Sequence, residues 1–274
     1  MHDTLVSTDW LADRLTAPNL RVVHVESKRV PHPHCIPGAI RFFWKDLCWH
    51  PTDRELVTPA ELADRLGVRG ISADMTLVLT SETVQYATYA YWALTLAGHQ
   101  NLKVLDGSLT KWLQDNPLEE SPAPLSATVG SADNADINPR IGRDEVRAAL
   151  GQPGHLILDV RSPEEYAGQR VMPPPGFDHG AERSGRIPGA VSLYFRRLLN
   201  DDDTFRSLDE LSELLRIVGV TPDGGDTIIL YCRLSHRATL VWFAMTQMLG
   251  YRNVRVYDGS WTEWGSIVGF PIEA

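Results

Sequence analysis

Six short apolar runs, three in each half of the chain, alternate with stretches in which apolar residues recur every three or four positions. The runs are RVVHV (21–25), MTLVLT (75–80) and LKVLDG (102–107), then LILDV (156–160), TIILYC (227–232) and VRVYDG (254–259). Their length and near-continuous hydrophobicity predict strands covered on both faces. TPAELADRLGV (58–68), YATYAYWALTLAG (86–98), LDELSELLRIVGV (208–220) and RATLVWFAMTQMLG (237–250) have helical spacing, with Gly67, Gly98, Gly219 and Gly250 where helix stops belong. Strand and helix in alternation predict an α/β fold, each half a mainly parallel sheet flanked by helices. Ligands of such sheets collect beyond the C-terminal ends of the strands.

The two halves are copies. GHQNLKVLDGSLTKW (98–112) lies over GYRNVRVYDGSWTEW (250–264) at an offset of 152, with eight of fifteen positions identical. IPGA recurs at 36–39 and 187–190, and RVVHVES (21–27) lies over LILDVRS (156–162) at an offset of 135. The change of offset means about sixteen extra residues between Ser162 and Ile187. A 20–50-residue period would signal a solenoid; this spacing signals two domains, expected at 1–120 and 139–274. Between them, 121–138 has the Pro, Ser, Ala and Asn content of a linker.

Composition narrows the function. A formal charge of −9 argues against nucleic acid or an anionic membrane as partner. Three cysteines cannot pair completely, which points to reduced thiols and a cytoplasmic protein. The first residues show no signal-peptide pattern, and no apolar run is long enough to span a bilayer.

One of those cysteines stands out. In YCRLSHRA (231–238) a strand ends at Cys232 and a helix begins near Arg237, with Arg233 and His236 between. Backbone N–H groups at a helix N-terminus favour an anion, and the flanking basic groups add positive potential, so thiolate is favoured over thiol. An isolated cysteine reads first as a buried structural residue. The cluster of basic neighbours at a strand–helix junction reverses that reading.

Here the chain resembles the tandem two-domain rhodanese family, thiosulfate sulfurtransferase type, through DVRSPEEY (159–166), GRIPGAV (185–191), YCRLSHRA (231–238) and YDGSWTEW (257–264). The resemblance implies a six-residue loop, Cys232 to Arg237, whose N–H groups face the sulfur. It implies ping-pong transfer of the sulfane sulfur of thiosulfate, through a Cys232 persulfide, to cyanide, a thiol or a protein acceptor, with no cofactor. Arg233, Ser235, His236 and Arg237 are the expected substrate contacts. Some family members carry an arginine in the segment that here reads RSPEEY, where this chain has Glu165, so Arg183 of the extra loop is the replacement candidate. On an offset of 152, Thr80 stands for Cys232 and SETVQ for RLSHR, so the first domain is expected to be inactive, either covering the site or docking an acceptor.

The loop CRLSHR matches neither the usual thiosulfate nor the usual 3-mercaptopyruvate enzyme sequence, and its charge favours the former. A non-turnover persulfide carrier uses the same thiolate. A Cys-x5-Arg phosphatase needs one more residue than the Cys-x4-Arg found here. His32, His34, Cys35, Cys48 and His50 are metal-ligand types at no familiar spacing and read as ordinary loop residues, so no metal is expected. Asp159 and Arg161 read as a structural ion pair, and Trp261 is left between core and pocket.

Overall fold

The computed structural model describes residues 3–116, 139–173, 175–221 and 224–274. The expected linker at 121–138 lies outside them. The described residues form two compact units. One holds the first stretch together with Asp201–Phe205, and the other holds the rest.

Each unit is built on a five-stranded, wholly parallel sheet. In the first, β1 (Leu5–Val6), β2 (Leu20–Glu26), β3 (Ile40–Phe43), β4 (Thr76–Ser81) and β5 (Leu102–Leu105) stand in the order β1-β5-β4-β2-β3. In the second, β6 (Arg140–Ile141), β7 (His155–Asp159), β8 (Val191–Ser192), β9 (Thr227–Tyr231) and β10 (Val254–Tyr257) repeat it as β6-β10-β9-β7-β8. The central strands are the long apolar runs. Val22, Val23, Leu77, Val78 and Leu79 are buried in one sheet and Leu158, Ile229 and Leu230 in the other, because helices cover both faces.

Helix punctuation follows local chemistry. Pro59–Gly67 opens on a capping box in which Thr58 and Glu61 satisfy each other's orphan N–H groups, and Leu208–Ile217 opens on the same device from Ser207 and Glu210. The first of these helices ends on Gly67, which is itself still helical, and the left-handed turn falls to Gly70, whereas Gly98, Gly219 and Gly250 take positive φ themselves. The helix His236–Phe243 continues as one wider π-type turn, Ala244–Met248.

Candidate active site

Strand β9 carries the chain through the middle of the second sheet and delivers Cys232 at its C-terminal end, 1% exposed. Helix His236–Phe243 begins four residues later, so Cys232 stands just before a helix start, where the first N–H groups have no intrahelical partner. The tight passage depends on Ser235, which takes a left-handed φ of +73°. It is pinned from the turn after β10: the Cys232 N–H donates to Ser260 Oγ (3.2 Å), the Cys232 carbonyl accepts from Trp261 N (2.9 Å), and the Arg233 carbonyl accepts from Thr262 Oγ1 (2.8 Å).

The expected substrate contacts divide into two groups. Arg233 is half-buried, with Nη1 3.5 Å from the His179 carbonyl oxygen. Glycine at 180 permits this approach, since a Cβ there would come within 2.6 Å of Nη1. His236 is the first residue of the helix and 8% exposed. Both stay with the thiol in the loop.

Three others are engaged elsewhere. Ser235 is fully buried, and its hydroxyl lies 2.6 Å from the Asp258 carbonyl oxygen and 2.9 Å from Asp258 Oδ1. Its one proton is committed to Asp258, so it braces the loop. Arg237 makes a bidentate pair with Glu165, Nη1 to Oε2 at 2.6 Å and Nη2 to Oε1 at 2.9 Å. Arg183 is not the substitute anion contact expected of it. Its guanidinium donates to the carbonyls of Gly265 (3.1 Å), Phe270 (3.1 Å), Trp264 (3.3 Å) and Ile267 (2.6 Å), tying the extra loop to the end of helix Ser260–Trp264 and the segment beyond. Four of its five donors are thereby used.

Glu165 is the residue that sequence reasoning misread. It closes the capping box of the short helix Pro163–Tyr166 (Ser162 N to Oε2, 3.0 Å), and the same carboxylate, fully buried, neutralises Arg237. Burial alone would push Glu165 up, but the two guanidinium bonds outweigh it and hold the carboxyl below its usual value. Arg237 is raised by the same pairing against its own desolvation and by the Cys232 charge. A carboxyl depressed in the folded state stabilises above its unfolded value, and that contribution is lost as pH falls through the folded value. Glu165→Gln is therefore expected to be less stable than the parent at neutral pH and to lose less stability on acidification below about pH 4.5, measured by urea unfolding across pH.

Behind the loop lies a second buried network. Arg161 grips Asp159 through Nε (2.9 Å) and Nη2 (2.6 Å), Tyr231 Oη donates to the same carboxylate (2.6 Å), and Arg161 Nη2 also reaches the Gly185 carbonyl (2.7 Å). Trp261, fully buried, lies over the guanidinium at 4.5 Å. The expected structural pair is present, and Trp261 belongs to the core.

Strand register corrects the alignment of the two halves. Thr80 pairs with His24 in β2, and Tyr231 pairs with Asp159 in β7; with those strands offset by 135, Thr80 matches Tyr231 and Ser81 matches Cys232. The hydrogen bonds agree: the Ser81 N–H donates to Ser108 Oγ (3.3 Å) just as Cys232 N–H donates to Ser260 Oγ. Helix Val84–Leu96 starts one residue sooner after Ser81 than its counterpart does after Cys232, so a uniform offset of 152 slips by one. Ser81 Oγ accepts the Ala87 N–H (3.1 Å) from the first turn of that helix.

Comparison with known proteins agrees with this architecture. The rhodanese-like domain matches twice, at residues 7–115 and 142–267. A Haloferax volcanii protein named "Putative thiosulfate sulfurtransferase" is 38% identical over 99% of this chain and 96% of its own length. One of the same name from Mycolicibacterium smegmatis is 39% identical over 99% and 98%. "Sulfur carrier protein TtuD" of Thermus thermophilus is 35% identical over 98% and 96%. The solved structure of an anaerobic ergothioneine biosynthesis enzyme from Chlorobium limicola superposes with a TM-score of 0.85 at 23% identity, covering 98% of this chain and 70% of that one, a likeness of fold. The chain belongs to the rhodanese family of sulfurtransferases, as a member with two rhodanese-like domains in tandem. No helix among the described residues is long and apolar enough to cross a membrane.

Proposed function

We propose that this chain is a thiosulfate sulfurtransferase working through a persulfide on Cys232. The carrying observation is the position of Cys232, directly after β9 and four residues before helix His236–Phe243, inside a loop braced by Ser235 and Arg237. The Cys232 thiolate attacks the outer sulfur of thiosulfate. The new S–S bond forms as the bond to the sulfonate sulfur breaks, and sulfite leaves with that electron pair. Cyanide or a thiolate then takes the outer sulfur and restores the cysteine thiolate, which gives ping-pong kinetics. Arg233 and His236 are the proposed contacts for the dianion and for charge developing on sulfite. Ser235 and Arg237 act by holding the loop. No cofactor is needed, since the transferred atom is carried on the protein. Three cysteines, too few to pair completely, suit a reducing compartment such as the cytosol.

Mass spectrometry after exposure to thiosulfate tests the reading. One added sulfur atom on the peptide containing Cys232, and on those of neither Cys35 nor Cys48, is the expected result. No adduct, or an adduct elsewhere, overturns it.

The Glu165–Arg237 pair favours one second reading. With that guanidinium neutralised, the loop attracts a dianion less than its sequence implies, which suits a chain that receives persulfide from a protein donor. The Thermus thermophilus relative is named as a sulfur carrier. Persulfide loading without thiocyanate production from thiosulfate and cyanide would favour the carrier.

A further inference from the structure

The strand ends of the first domain hold a cluster that the sulfur chemistry does not use. His24 and Glu26 close β2, Glu82 directly follows β4, and a ligand atom from each lies within 4.8 Å of the other two. His24 is fully buried, and neither of its ring nitrogens makes a hydrogen bond. Its Nε2 stands 3.8 Å from Glu26 Oε2, beyond hydrogen-bond reach. Burying an imidazole with both nitrogens unmatched is costly unless something else uses them.

The cluster also reverses the charge of its counterpart. By strand register His24 corresponds to Asp159, Glu26 to Arg161 and Glu82 to Arg233. Two cations at the working strand ends of the second domain are carboxylates in the first. A place arranged around an anion has become one that attracts a cation.

We propose that His24, Glu26 and Glu82 form a binding site for a divalent transition-metal ion of zinc type, with one imidazole nitrogen and two carboxylate oxygens as protein ligands and a remaining position open to water. A mixed nitrogen and oxygen set suits such an ion better than magnesium or calcium, which favour oxygen alone. The carboxylates are already oriented. Arg41 Nε holds Glu26 Oε1 at 2.5 Å, the His32 N–H reaches Glu26 Oε2 at 3.1 Å, and Glu82 accepts from Ser27 N (3.0 Å) and Ser27 Oγ (3.0 Å). Half-buried Glu82 gives the ion a way in. The Arg41 charge beside Glu26 lowers affinity, so the ion is exchangeable.

Equilibrium dialysis of the full chain against zinc chloride, followed by elemental analysis, tests this. About one ion per chain is expected, with affinity lowered about tenfold or more in both His24→Ala and Glu82→Gln. Glu82 is half-buried, so that variant stays readable if loss of His24 impairs folding. Cobalt loading is expected to give d–d absorption without thiolate-to-metal charge transfer. Failure to bind zinc, binding untouched by both substitutions, or a thiolate charge-transfer band would each overturn the proposal.

Discussion

Cys232→Ser is expected to reduce thiocyanate formation from thiosulfate and cyanide by about 10⁴-fold or more, the scale of loss when the nucleophile of a covalent mechanism is removed. The chain carries its own precedent. Ser81 occupies the same place at the end of β4, and its hydroxyl is taken up by the start of the following helix, accepting the Ala87 N–H at 3.1 Å. A hydroxyl oxygen there caps a helix and cannot carry a sulfane sulfur. Sulfur replaced by oxygen changes little volume, so Cys232→Ser is expected to unfold at nearly the parent's urea midpoint. That separates lost chemistry from lost structure. Activity retained in this variant would mean that sulfur travels by another route.

The double-wound halves were legible because their central strands are sealed between helices. Full burial writes itself into sequence as continuous apolar runs, and β2, β4, β7 and β9 all follow such runs. The edge strands β1, β3, β6 and β8 were not read: two residues each in β1, β6 and β8 are too few to carry any periodicity, and the IRFF of β3 is neither a continuous apolar run nor long enough to show alternation. At the site, Cys232 and its basic neighbours were visible as a local cluster. The partners of those neighbours were not. Glu165 lies 72 residues from Arg237 and Asp258 lies 23 from Ser235, and nothing in a linear sequence says that these carboxylates will consume the loop's hydrogen-bonding capacity. Glu165 was further disguised by its position: three residues after Ser162 it reads as a helix cap, which it also is. Arg183 shows the converse error. A cation in a long loop suggests an anion ligand, but four backbone carbonyls converge on it. The one-residue slip between Thr80 and Ser81 arose because a constant offset ignores a loop deletion, which only strand pairing exposes.

Asp159→Ala is expected to cost about 3–5 kcal/mol, the penalty for breaking a buried ion pair from one side. Asp159 and Arg161 are both fully buried. Truncating the carboxylate strands a guanidinium that keeps the Gly185 carbonyl and the faces of Trp261 and Tyr231 but no counter-charge from Asp159, and it deprives Tyr231 of its acceptor at 2.6 Å. Burial and the Asp159 charge hold the Tyr231 hydroxyl well above its ordinary value in the parent, and in the variant the burial that remains still opposes its ionising to make up the missing charge. Since whole domains are stable by only about 5–15 kcal/mol, the loss consumes much of the second domain's margin. Hydrogen exchange resolves it by segment: β7 and β9 are expected to lose protection while β2 and β4 keep theirs. A cost so large follows from leaving one charge behind, not from the pair being worth that much. The double variant Asp159→Leu, Arg161→Met is accordingly expected to be more stable than Asp159→Ala alone, because it removes both charges from the interior. A single variant as stable as the parent would show that the charge finds water or another partner, and that the network behind the thiol is not what holds these strand ends together.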